Sequence, residues 1–344
     1  MGKSSVSEKK QVLTPRHTMK VLILLLILLA VCIVASLAFG SRMVAWTDVL
    51  DGLFHLDVQS HEAIVVRQRI ARTIFSVMCG AALGVSGALM QSVTRNPIAD
   101  PSILGVNMGA SLFIVCGIAF LNIHSANEYI WLAIAGAMIT AIFVFGIGSM
   151  GSGGATPLKL VLAGAATSAI LSSLVVAVMI PRANVMDQFR FWQVGSVGAG
   201  DWDSIYLFIP FLLVGILLAM ITAPALNALA LGDEVATGLG ARTGTIRFAA
   251  AFGGVLLCGA ATALAGPIGF IGLLATHLIR LVIGPDLRHV IPLSAISGAV
   301  ILTVSDVCGR LLGSPGELEV GIVTAFIGAP ILIVITMKAK MRAL

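Results

Sequence analysis

Apolar runs long enough to cross a bilayer recur along almost the whole chain, and no other feature of the sequence restricts its fold as strongly. A helix needs about 20 apolar residues to cross about 30 Å of hydrocarbon. By that rule ten spans are read, at 20–40, 70–92, 104–121, 130–149, 158–180, 205–223, 246–266, 268–284, 290–312 and 321–337. Composition agrees. Of 344 residues, 58% are hydrophobic and 11% charged, with a mean hydropathy of +1.04. Soluble domains carry about 25% charged residues, so this chain cannot cover a water-exposed surface. Soluble enzymes, disordered proteins and nucleic-acid binders are excluded. The expected fold is an all-α polytopic membrane protein, 20–344, behind a basic cytoplasmic tail at 1–19.

Charge placement tests the count. If the N-terminus is cytoplasmic and the spans alternate, 14 of the 21 Lys and Arg residues fall inside and 7 outside. That bias follows the positive-inside rule and predicts both termini in the cytoplasm. The net charge of +5 then reflects basic cytoplasmic loops. All seven outer cations are arginines, and three cluster in Arg67-Gln-Arg69-Ile-Ala-Arg72. Guanidinium forks suit carboxylates, which points to an acidic partner; interfacial anchoring is the alternative. The five cysteines lie in apolar runs without CxxC or CxxH spacing and are read as small buried residues.

Gly80-Ala-Ala-Leu-Gly-Val-Ser-Gly87 resembles Gly259-Ala-Ala-Thr-Ala-Leu-Ala-Gly266. The two lie in spans of opposite direction, so an inverted repeat of spans 2–5 and 7–10 is expected. Chance spacing of small packing residues is the rival.

Chemical motifs are sparse. No GxxxxGK[ST] phosphate loop occurs, and Gly151-Ser-Gly-Gly154 lacks the lysine, so the chain cannot hydrolyse ATP by that route. No HExxH is present, and no metal or cofactor is expected. Gly84-Val-Ser86-Gly87 matches the GxSG of intramembrane serine proteases, with His277 as a conceivable base; Ser86 is better read as a packing residue. An ion-coupled transporter would need midplane acids, and only Asp306 and Asp100 approach that description.

Three polar stretches stand out. The first, 94–105, contains Pro97 and Pro101 and reads as a fixed turn near the cytoplasmic mouth. The second, Leu231-Gly-Asp-Glu-Val-Ala-Thr-Gly-Leu-Gly-Ala-Arg242, sits in the longest inner loop, 227–245. Asp233 and Glu234 favour a short helix by complementing its dipole, presented to a soluble partner. The third is Asp306 and Arg310, spaced as an i,i+4 pair with the acid first.

These stretches together resemble the iron-siderophore and cobalamin permease family, the FecCD-type membrane subunits of ABC importers. The resemblance runs from about Arg67 to Pro330. It includes Arg69-Ile-Ala-Arg72-Thr, Ser86-Gly-Ala-Leu-Met-Gln91, Arg95-Asn-Pro-Ile-Ala-Asp-Pro101, Leu231-Gly-Asp-Glu234, Ala265-Gly-Pro-Ile-Gly-Phe270, His277-Leu-Ile-Arg280, Pro315-Gly-Glu-Leu318 and Gly321 to Pro330. It implies ten helices and a transport subunit that is not itself an enzyme. The implied partners are a second permease, identical or paralogous, two ATPase subunits, and an extracellular or periplasmic binding protein. The implied cargo is a ferric siderophore, with haem and cobalamin as alternatives.

Site residues also follow from the resemblance. Arg69, Arg72 and Arg310 look like the arginines that receive acids of the binding protein. Leu231, Gly232, Asp233, Glu234, Ala236, Leu239 and Gly240 resemble the segment seated in the ATPase. Asn96, Pro97, Asp100, Pro101 and Gly105, with Ala165, Ser168 and Ser172, would flank the pathway. The family often has proline where this chain has Ala71 and Thr276, which implies a lost kink in span 8.

Overall fold

The computed structural model describes residues 15–40, 47, 60–123, 125–151 and 156–342. Residues 1–14 of the basic tail therefore lie outside the described residues, as do Arg42, His55 and His124. Among the described residues every regular element is helical. In chain order they are α1 Pro15–Ala38, α2 His61–Val93, a 3₁₀ turn Pro101–Leu104, α3 Val106–Cys116 with a π turn Gly117–Leu121, α4 Ala126–Gly148, and α5 Pro157–Met179. Next come α6 Ala183–Val194, α7 Trp202–Ala230, α8 Asp233–Gly238, α9 Thr243–Ala265, α10 Ile271–Ile283, α11 Leu287–Leu312 and α12 Val320–Arg342. Seven of these are long and apolar enough to cross a membrane, and the apolar helices at 106–121, 271–283 and 320–334 are shorter. The protein is a multi-pass membrane protein.

α2 is the organising element. Its 33 residues extend about 50 Å at 1.5 Å per residue. It starts nine residues before the apolar run because Ser60 caps it, accepting from the Ala63 N–H at 3.2 Å. Residues 61–69, with Arg67, Gln68 and Arg69 among them, are helical as well, ahead of the apolar run read from sequence. Small residues then let α2 approach its neighbours closely. A Cβ on Gly80 would lie 2.5 Å from the Gly298 carbonyl of α11, and one on Gly87 2.5 Å from Gly272 Cα of α10. The Gly80–Gly87 stretch is thus an interhelical crossing surface.

α10 has 13 residues, about 20 Å of helix, too short to cross alone. The irregular 266–270 precedes it, with Gly266 at φ 73° and Phe270 at φ 70°. Such backbone at membrane depth needs protein cover. Gly266 packs on Trp192 and Gly195 of the α6–α7 region, and Ser196 N–H donates to the Ala265 carbonyl at 2.6 Å. Thr276 within α10 is fully buried and donates to the Gly84 carbonyl at 3.2 Å, so the residue standing for proline ties α10 to α2. Ala71 is core.

Candidate functional site: two ionic clusters at opposite ends of α2

The first cluster surrounds the start of α2. Arg72 spans two acids: its Nε and Nη2 bond Asp306 Oδ1 at 3.2 and 2.7 Å, and its Nη1 bonds Glu317 Oε2 at 2.7 Å. Arg310 forms an ion pair with Asp306 Oδ2 at 2.9 Å, one helical turn away, as the i,i+4 spacing predicts. Arg310 is 1% exposed and Asp306 2%. A buried pair of this kind needs further hydrogen bonds to satisfy the charges. Arg310 finds them on α1, donating to the Ser36 carbonyl at 3.0 Å and to Ser36 Oγ at 2.7 Å. From there Ser36 Oγ meets Thr73 Oγ1 at 2.7 Å, and Thr73 donates to the Arg69 carbonyl at 2.7 Å. Arg69 in turn donates to the carbonyls of Leu37 and Ala38 at 3.0 and 3.1 Å. Arg69 and Arg310 therefore cap the C-terminal end of α1, where carbonyls lack helical partners and the dipole favours cations.

The three arginines singled out from the sequence line one cavity of about 770 Å³, together with Arg67, Asp201 and Glu317. Their accessibility differs. Arg69 and Arg310 are buried, Arg72 is 14% exposed and Glu317 is 36% exposed. The Arg72–Glu317 pair is the part of the network that water reaches. Asp201 caps α7 through the Ser204 N–H at 2.8 Å, and those Ser204 hydrogen bonds hold its carboxyl below the usual range. Sequence reasoning noted Glu317 in Pro315-Gly-Glu-Leu318 but assigned it no role. It overlooked α6, whose Val185, Phe189 and Trp192 recur at helical spacing. Phe189 is fully buried, and Trp192 Nε1 donates to the Ala263 carbonyl at 3.3 Å.

The second cluster lies past the other end of α2. Arg95, at φ 49°, directs Nη2 to both the Leu229 carbonyl at the end of α7 and Asp233 Oδ1. Arg247 of α9, 5% exposed, directs its own Nη2 to Asp233 Oδ1 and Oδ2 at 2.8 and 3.0 Å. Asp233 thus sits between two arginines. The sequence gives it a helix-dipole role and, by resemblance, a place in the ATPase-facing segment, but not this pairing, because neither arginine is near it in the chain. α7 runs on to Ala230 and α9 starts at Thr243, so the connection proper is 231–242. Within it Leu231, Val235 and Leu239 are 70%, 48% and 71% exposed, and Ala236 is buried. Gly232 at φ 122° and Gly240 at φ 83° bracket the segment in conformations that favour glycine. Glu234 is exposed.

The turn after α2 is held by its own bonds. Asn96 N–H donates to the Gln91 carbonyl at 3.2 Å, Asn96 Oδ1 accepts from Ile98 N–H at 3.1 Å, and Asp100 Oδ1 accepts from Ser102 N–H at 3.0 Å. Burial pushes the Asp100 carboxyl upward, and the Ser102 hydrogen bonds oppose this. Pro101 opens the 3₁₀ turn, and Pro97 is exposed. Gly105, at φ 74°, packs so that a Cβ would lie 3.4 Å from Ser168 Oγ of α5. Two of the sequence-read pathway stretches therefore meet at Gly105 and Ser168, while Ala165 and Ser172 face outward on the same helix.

Ser86 is fully buried, with its hydroxyl donating to the Gly254 carbonyl at 2.5 Å. It is a packing residue whose proton is already committed. The described cysteines are all free, with Cys32, Cys79 and Cys258 buried.

The FecCD transport family matches residues 27–338. The chain belongs to the FecCD transport family. Among curated relatives it is 40% identical over 310 residues to the ferric enterobactin transport system permease protein FepD of Escherichia coli strain K12, covering 90% of this chain and 92% of that one. It is also 40% identical over 305 residues to the Fe(3+)-citrate import system permease protein YfmD of Bacillus subtilis strain 168, covering 89% and 90%. A solved structure described as a metal-chelate type ABC transporter in an inward-facing conformation superposes with a TM-score of 0.81 at 27% identity, covering 93% of this chain and 99% of that one. The FecCD chain described here is therefore a permease by family, with a transport role.

Proposed function

We propose that this chain is the permease subunit of an ABC importer that takes up a ferric siderophore, delivered by an external binding protein and driven by separate ATPase subunits. The observation that carries the reading is the pair of partner-facing features at opposite ends of α2: an arginine-lined cavity at one end, and the exposed Leu231–Leu239 segment at the other. Relatives named for ferric enterobactin and ferric citrate support an iron-chelate cargo.

In this reading the ten apolar helices all cross the bilayer of a bacterial cell membrane, with both termini cytoplasmic. The 231–242 segment then faces the cytoplasm and the Arg72 cavity faces outward. Spans 2–5 and 7–10 form an inverted repeat: α2 runs from the Arg72 end to the Arg95 end, and α9 runs back from the Arg247 end. The chain provides no catalytic residue of its own. A second permease completes a pathway flanked by 96–105 and by α5 near Ser168.

Docking divides among the three arginines. Arg72 is the direct contact, because its Glu317 partner is exposed and can be exchanged for a carboxylate of the binding protein. Arg69 and Arg310 hold the wall of the cavity by fixing the end of α1. The decisive test is uptake into vesicles containing the permease, ATPase subunits and binding protein, with haem and cobalamin as competing cargo. ATP-dependent accumulation of ferric siderophore is expected. Transport that persists without the ATPase subunits overturns the ABC reading, and preferential uptake of haem or cobalamin overturns the cargo.

A further inference from the structure

The bridge through Asp233 has a geometry that packing alone does not call for. The 231–242 segment exposes Leu231, Val235 and Leu239, and the inward attachments of α8 are the buried Ala236 and the Asp233 carboxylate. That carboxylate does not bond its own helix terminus. It reaches across to Arg95, two residues past α2, and to Arg247 in the first turns of α9. Arg95 also holds the last turn of α7 through the Leu229 carbonyl. Four elements therefore converge on a single charged joint.

The Arg95–Asp233 arm, exposed on both sides, contributes little to stability, about 0–1 kcal/mol. Charge-assisted hydrogen bonds are nonetheless short and directional, so they fix relative position well. Arg95 is also the residue immediately before Asn96 and Pro97. From Asn96 onward the chain is cross-braced by the bonds at Gln91, Ile98 and Ser102, and it ends at Gly105 packed against Ser168. A displacement at Arg95 is delivered along a braced turn rather than absorbed by it.

We propose that Asp233 is a positioning residue that links the 231–242 segment to the 94–105 turn through Arg95, with Arg247 as the fixed anchor, so that motion of α8 moves the turn beside the pathway. This inference rests on the reading that α8 engages the ATPase subunits. Two sites coupled in this way share a coupling free energy, and breaking the joint uncouples them without removing either site.

The test uses the complete transporter in proteoliposomes, reading chelate transported per ATP hydrolysed and, separately, co-purification of the ATPase subunits. In Arg95→Gln, outside the ATPase-facing segment, the ATPase subunits still co-purify, and in both Arg95→Gln and Asp233→Asn the transport-to-ATP ratio falls about tenfold, within the usual range of coupling energies. The double variant is no worse than either single one, as a shared joint requires. An unchanged ratio in Asp233→Asn, or additive losses in the double variant, overturns the proposal. If Asp233→Asn fails to assemble, Arg95→Lys retains the charge without the fork, and an unchanged ratio there overturns it equally. Leu239→Glu tests the underlying reading by itself: ATPase subunits that still bind this variant show that α8 is not their contact, whatever the ratio does in the others.

Discussion

The two ends of α2 carry the same ionic arrangement, one aspartate between two arginines, in opposite surroundings. Asp306 with Arg72 and Arg310 is sealed, the carboxylate 2% exposed. Asp233 with Arg95 and Arg247 is open, its side chain 46% exposed. The sealed cluster continues into Ser36, Thr73 and the carbonyls ending α1, although Asp306 Oδ2 and Arg310 Nε make no hydrogen bond among the described residues. The open cluster ties the sparsely packed α8 to helices that pack closely on one another. Burial sets the consequence of losing a carboxylate: in the sealed cluster it strands charges in a low-dielectric interior, and in the open one water reaches Arg95 in its place while Arg247 stays buried.

The contrast breaks most sharply at Asp306. Asp306→Ala leaves Arg72 and Arg310 without their shared acid, at a cost of roughly 3–5 kcal/mol. Thermal unfolding in detergent is expected to occur well below that of the native protein. A variant as heat-stable as the native one abolishes the distinction between the two ends. Asp233→Asn, measured the same way, costs about 1 kcal/mol or less. A loss as large as that of Asp306→Ala makes the open cluster a second stability element instead of a joint.

Glu317 sharpens the comparison at the sealed end, since it is where that network meets water. Replacing it with glutamine frees Arg72 for an external carboxylate, so binding-protein association is expected to strengthen by up to about 1 kcal/mol, near fivefold. The gain shrinks as salt rises, because the Debye length contracts from about 10 Å at 0.1 M to about 3 Å at 1 M. Surface plasmon resonance at two ionic strengths measures both; unchanged or weakened association in Glu317→Gln removes Arg72 as the direct contact.

The smallest effects are pH effects of opposite sign. Asp201, near the sealed end, has a lowered folded pKa. Its contribution is present above the unfolded value of about 3.9 and is lost as pH falls through the folded value. Asp100, near the open end, has a raised folded pKa. Its ionised form therefore opposes folding, and stability drains as pH rises from about 3.9 through the folded value. Asp201→Asn is expected to be less heat-stable than native at neutral pH, and Asp100→Asn more so, with both differences vanishing in acid. Melting curves at several pH values check the signs.

Much of this was legible beforehand. The apolar runs located the membrane helices, because the bilayer demands a length and a composition that sequence displays directly. The Asp306–Arg310 pair was legible because four residues on a helix guarantee a shared face. The first turns of α2 were not, since the helix capped by Ser60 begins nine residues ahead of the apolar run. The partner of Thr276 was not legible either: its hydroxyl bonds the Gly84 carbonyl, 192 residues distant in sequence. Arg69 and Arg310 stood out as cations, yet sequence could not show that they cap α1.

Sequence by itself determined that this chain spans a membrane, and which few charges it carries there. Desolvation makes every such charge conspicuous, and the thickness of the bilayer makes the long apolar runs conspicuous too. Tertiary structure alone decided what each charge does. Arg310 meets Ser36 across 274 residues, and Arg95 meets Asp233 across 138. Which guanidinium is sealed and which stays open to water depends on helices that pack from distant parts of the chain. The energy of an ion pair is fixed by that packing and by the dielectric it creates, and neither is a property of the residues in line.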